Sequence, residues 1–163
     1  MFGFGKKKRN QSAKDVMAIV ENVFVKREYE YKYEENESLI VSMFKGDDLP
    51  IGVVIAANDS NKVLSINCKL MFEIPESGRS AVIEKFNEIN NELAVGAFVL
   101  SDGDPIFKIT HMYNLFPLDE DLVEALLNIA IAITDHHDGP LKEAIPEEWK
   151  VDPPKPEDMV MYG

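Results

Sequence analysis

The sequence predicts an α+β domain, an antiparallel sheet flanked by three helices in the order α-β-β-β-β-α-β-β-α. Three observations carry that reading. Apolar stripes of helical period occur near the start, in the middle and towards the end of the chain. Between them lie stretches in which apolar and polar residues alternate, the mark of strands with one buried face. The turns between successive strands hold about four residues, whereas a parallel crossover needs a dozen or more.

The first helix begins at Ser12, with Asp15 three residues on in a capping-box-like start. Val16, Ile19, Val20, Val23 and Phe24 then form one apolar stripe. A strand block follows, in which Tyr29, Tyr31 and Tyr33 alternate with Glu30, Lys32 and Glu34. The next strands are Leu39 to Lys45 and Ile51 to Ala57. Because Gly52 to Ala57 is apolar on both faces, this strand is expected to lie centrally and to be covered twice. From Val63 to Ile74 the alternation is cleanest, with Leu64, Ile66, Cys68, Leu70, Phe72 and Ile74 on one face. Pro75 ends that strand, and Ser77 or Ser80 is the expected N-cap of the second helix, whose stripe is Val82, Phe86, Ile89 and Leu93.

Gly96 suits the turn into Ala97 to Leu100, and Asp102-Gly103 signals a hairpin. The partner strand carries Phe107, Ile109, His111, Tyr113 and Leu115 on one face. The third helix opens at Asp119 and is expected to close at Asp138, with Gly139 as C-cap and Pro140 beyond. Residues 1–11 read as a disordered basic arm, 12–144 as a single domain, and 145–163 as a proline-rich acidic tail.

Composition narrows the function classes. The formal net charge is −12, although the first fourteen residues hold five cations and no acid. A body this acidic repels nucleic-acid phosphates and attracts basic partner segments. No apolar run approaches a membrane span, and the basic arm has too few apolar residues for strong membrane contact. Cys68 is the one cysteine of the chain, which fits a reducing, cytoplasmic setting.

Ile74-Pro75, Arg79, Phe86, Asn90, Asn91, Gly96 and Phe98 together resemble the central signature of YbjN-like proteins. These share the fold of type III secretion chaperones, whose element order is also the one read here. The resemblance spans roughly residues 12–144. It implies a small acidic homodimer that binds client or regulatory proteins, with no catalytic residues, metal or cofactor to carry over.

The third helix supplies a separate pointer to a partner. Leu122, Leu126, Ile129 and Ile133 read as the stripe that meets the sheet, and Leu127 with Ile131 as surplus apolar surface on another side. Leu127 and Ile131 are therefore interface candidates, as are Tyr29, Tyr31 and Tyr33, whose row reads equally as a half-buried edge strand. His111 and Arg79 are the candidates for a small-molecule or enzymatic site, although a lone inward histidine is more often a core residue. Asp135-His136-His137-Asp138 is not expected to hold a metal, because adjacent helical side chains diverge by about 100°. Cys68 reads as a small apolar filler, and Asn90 as a residue that fixes the turn after its helix.

Overall fold

The computed structural model describes residues 10–144. Its elements are α1 (Ala13–Lys26), β1 (Lys32–Glu34), β2 (Leu39–Lys45), β3 (Pro50–Asn58), β4 (Val63–Leu70), α2 (Arg79–Asn90), β5 (Ala97–Ser101), β6 (Asp104–Met112) and α3 (Glu120–Ala144). The six strands form one antiparallel sheet in the order β1-β2-β3-β4-β6-β5. The expected architecture and element order hold. Residues 1–9 of the arm read over 1–11, and all of the tail read over 145–163, lie outside the described residues.

Helix α1 starts where its cap dictates. The Asp15 N–H donates to Ser12 Oγ at 3.0 Å, and the Ser12 N–H donates to the Asp15 carboxylate at 2.9 Å. Its buried face is wider than the stripe read from the sequence and includes Met17. Gln11, assigned to the arm, is tied to the body: its side-chain amide donates to the Leu118 carbonyl and accepts from the Leu118 N–H, both at 2.8 Å.

The register places Ile40, Ile55, Ile66 and Ile109 in one row across four strands. The next row on that face is Ser42, Val53, Cys68, Phe107 and Phe98. Every residue of both rows is buried. Helices α1 and α3 cover the middle of this face, and α2 covers its β5 end through Phe86 on Phe98. The opposite face is a different matter. Gly52, Val54 and Ala56 of β3 are only half-buried, so the expectation that this strand is covered twice needs correcting. All three helices sit on one side, and no helix among the described residues covers the other.

Three local readings also change. Lys32, rather than Tyr29, begins the first strand. Tyr29 instead packs edge-on against Phe24 and Phe44, at ring separations of 5.6 and 5.0 Å. Neither Ser77 nor Ser80 caps α2; a short 3-10 turn, Glu76–Gly78, leads in, and Gly78 takes the cap position without a side-chain bond. Helix α3 does not stop at Gly139 but runs on through Pro140 to Ala144. Proline removes one backbone donor and still permits helix when neighbours hold the chain. Gly139 lies against the β2–β3 turn instead: a Cβ there would meet the Asp48 carboxylate, which would have to turn aside.

The rotation of α3 about its axis is the largest correction. Val123, Leu127, Ala130, Thr134, Asp138 and Leu141 face inward. Leu127, read as surplus surface, is fully buried under its own chain, and Ile131 is half-buried. Leu126 and Ile129, read as sheet-facing, lie to the side, with Ile129 40% exposed. The small Ala130 and Thr134 decide this phase by letting the helix approach β4 closely. Thr134 sits over Cys68 and returns its hydroxyl proton to the Ala130 carbonyl at 2.8 Å. A helix apolar around most of its circumference does not announce which stripe will face the sheet.

Candidate functional site

The β5 end of the sheet is where the fold leaves apolar surface uncovered. Strand β5 pairs with β6 from Ser101↔Asp104 to Ala97↔Lys108 and then stops. Asp102 and Gly103 close the hairpin with φ of 52° and 87°, both in the left-handed region that this two-residue turn demands. Gly96 brings the chain into β5 with φ 71°, at a point where a Cβ would overlap the Phe107 ring.

Asn90 secures the outer side of β5. Its Nδ2 donates to the Phe98 carbonyl at 3.0 Å, and its Oδ1 accepts the Phe98 N–H at 2.8 Å. The amide thus behaves as a one-residue strand, satisfying both outward groups of Phe98. That extends the turn-fixing role read from the sequence. Phe98 itself is buried between Phe86, Phe107 and the edge of the His137 ring. Burial, followed by the adjacent His136, holds the His137 imidazole below its ordinary pKa. It is a packing residue here.

Beyond Ala97 a notch opens. It is a groove of about 530 Å³ lined by Val95, Gly96, Ala97 and Val99, by Lys108, Ile109 and Thr110 of β6, and by Leu126 and Ile129 of α3. A smaller groove of about 280 Å³ lies across β5, between Ile83 and Asn87 of α2 and Val99 and Leu100. Of the exposed large apolar side chains among the described residues, Ile83, Val95, Val99 and Ile129 line these two grooves, Met112, Leu115 and Phe116 cluster at the far end of β6, and Val25 stands apart on α1. Scattered apolar side chains are normal on a surface, but a gathering at one end is not.

The residues read as a small-molecule site do not come together. Arg79 lies against the hairpin, close enough that a Cβ on Gly103 would come within 2.7 Å of its Nη2. His111 stands near the other end of β6, about 25 Å away at the usual rise per strand residue. There its ring N–H donates to the Phe116 carbonyl at 2.6 Å. The expected polar pocket joining them is absent among the described residues. Tyr29, Tyr31 and Tyr33 all turn towards α1 and pack on the core, half-buried. Tyr31 donates its hydroxyl to Glu21 at 2.9 Å, and burial, then that carboxylate, raises its pKa. Cys68 is fully buried, which pushes its thiol up to about 12. Such a thiol is inert packing.

One further cluster escaped the sequence reading. Asp135 and Asp138 of α3 meet Asp47 and Asp48 of the β2–β3 turn, where the Asp47 N–H donates to Asp135 Oδ1 at 2.7 Å. Asp138 is fully buried; one oxygen accepts the Gly139 N–H at 2.6 Å and the other has no partner. Burial pushes its pKa up to about 6, and Asp135, Asp48 and Asp47 add to the shift against the lowering effect of the Gly139 N–H. Acids scattered over two elements carry no sequence pattern that would have shown this. The described residues contain no group of three or more side chains placed to hold a metal ion.

Fold and surface together define a small two-layer α+β domain, helices on one face of a sheet, with apolar grooves at its β5 edge. Residues 17–143 match the YbjN family, described as "Putative bacterial sensory transduction regulator"; the chain belongs to that family. None of the curated proteins matches the chain. No helix among the described residues is long and apolar enough to cross a membrane.

Proposed function

We propose that this protein is a non-catalytic, protein-binding regulatory domain that works as a homodimer in the cytoplasm. The observation that supports it best is the gathering of exposed apolar side chains and grooves at the β5 end. The family description, a sensory transduction regulator, is compatible with a role in holding other proteins. Chaperone-like holding of an extended client, implied by the secretion-chaperone resemblance, belongs to the same class of activity.

The second copy is assigned to the uncovered sheet face. There Val54 of the central strand pairs in register with Val41, and Gly52 pairs with Met43. A face spanning six strands is of the size that stable dimers bury, roughly 800 Å² per partner. Leu127 no longer serves as an interface marker, because a substitution there tests the core. Light scattering across a concentration series measures the dimer directly, and Val54→Asp is expected to split it while leaving the circular dichroism of the fold intact. A strict monomer at high concentration would remove the homodimer from this reading.

A further inference from the structure

Resting on that protein-binding reading, we propose that the notch beyond Ala97 takes an extended segment of a partner protein as an added strand on β6. Backbone geometry supplies the first argument. Phe98 spends its N–H and C=O on Asn90, so its pairing with Phe107 is the non-hydrogen-bonded kind, and Ala97 with Lys108 is the bonded kind. Strand alternation then turns the backbone of Thr110 and Met112 to the same side as that of Lys108. The opposite parity is fixed independently, because the Tyr113 N–H reaches back to the Lys62 carbonyl beside β4. Since β5 ends at Ala97, the Thr110 N–H and C=O and the Met112 N–H face the groove instead of a strand. A row of unpaired strand groups is a template for main-chain pairing.

The shape of the notch selects the occupant. Gly96 and Ala97 bound it at one end. At the other, the chain folds back so that the Leu115 and Phe116 N–H groups both reach the Met112 carbonyl, at 3.3 and 3.1 Å. A slot closed at both ends by its own chain fits a short extended segment, whereas the β6 edge of a second copy would have to clear that turn. Ile109, Leu126 and Ile129 provide an apolar wall on the helix side, and Lys108 and Thr110 a polar one on the other. An added strand therefore presents apolar side chains at alternate positions to α3 and polar ones to the open face. With a formal net charge of −12 on the chain, a neutral or basic segment is favoured over an acidic one.

The test is selection from a random peptide library displayed on phage against the full-length protein, followed by binding of the enriched peptides to variants. Thr110→Pro removes the groove-facing N–H while leaving the β4 side of the strand alone, and Ile129→Asp changes only an exposed wall. Enriched peptides are expected to alternate apolar and polar residues, and to slow amide exchange at Thr110 and Met112. Each variant is expected to weaken binding about tenfold or more. Methylating alternate peptide amides is expected to abolish it. Equal binding to wild type and both variants would overturn the notch and leave the wider protein-binding reading standing. So would Thr110 protection that rises with protein concentration alone, since a second copy would then fill the slot. Failure to enrich any peptide over the doubly substituted protein also overturns the notch; only if the protein is a strict monomer as well does the wider reading go with it.

Discussion

The two edges of the sheet solve the same problem in opposite ways. At the β1 edge the pairing strand is three residues long, and Lys32 pairs with Glu34 on its surface. Behind it Tyr29 and Tyr31 close over Phe24, and the Tyr31 hydroxyl is anchored to Glu21. Short length and charge both discourage pairing with another chain. At the β5 edge one amide side chain covers a single residue, and beyond it the β6 backbone and an apolar wall remain open. A chain that defends one edge so thoroughly is not careless at the other. The contrast is what makes the open edge, and not the β1 edge, the proposed binding surface.

Five substitutions would break or sharpen the contrast. Phe24→Ala removes the ring on which the tyrosines rest and is expected to cost about 3–5 kcal/mol, measured by denaturant unfolding. If the β5 edge is independent, hydrogen exchange there should stay slower than at β1 in this variant. Asn90→Ala leaves the outward groups of Phe98 without partners and is expected to cost about 1–3 kcal/mol. It should also raise self-association at the β5 edge, detectable by light scattering; unchanged stability would mean that the amide does not guard the strand.

Asp138→Asn leaves both edges alone and calibrates the scale. The folded-state pKa of Asp138, about 6, lies above the ordinary aspartate value of about 3.9. The folded state therefore holds its proton more tightly than the unfolded state, and stability falls as pH rises from about 4 to about 6. The asparagine keeps the bond to the Gly139 N–H and removes that slope, with an expected gain of about 1–2 kcal/mol at neutral pH. Unfolding curves across that pH window check it, and an unaltered slope would show that Asp138 titrates normally. The smallest effect is expected from Ile129→Asp and Val25→Asp, each within about 0.5 kcal/mol in stability because both residues are exposed. Partner binding should separate them, with loss at Ile129 and none at Val25.

Local signals carried most of the fold. Ser12 and Asp15 form the capping box that their spacing implied, Asp119 Oδ1 accepts the Leu122 N–H at 2.8 Å as a helix start should, and the Asp102-Gly103 turn closes the hairpin. The alternation of Leu64, Ile66, Cys68 and Leu70 put each of them in the core. Of the site, only Asn90 was legible, since a polar residue on a buried stripe must find partners nearby. Arg79 and His111 were placed in one site by residue type alone, and the length of β6 separates them. The helical interface candidates, Leu127 and Ile131, depended on the phase of α3, and Leu127 changed sides when that phase was set by Ala130 and Thr134.

What the sequence determined by itself was most of what neighbours a few residues apart govern: the caps that start α1 and α3, the hairpin turn, the main strand faces, the order of elements and the antiparallel pairing. Only the tertiary structure decided which stripe of α3 meets the sheet, that all helices gather on one face, and that β5 ends early enough to expose β6. The physical reason is the range of the forces involved. Capping and alternation act within a turn or a pleat, whereas the rotation of an apolar helix and the length of an edge strand are settled by side-chain volumes brought together from distant parts of the chain.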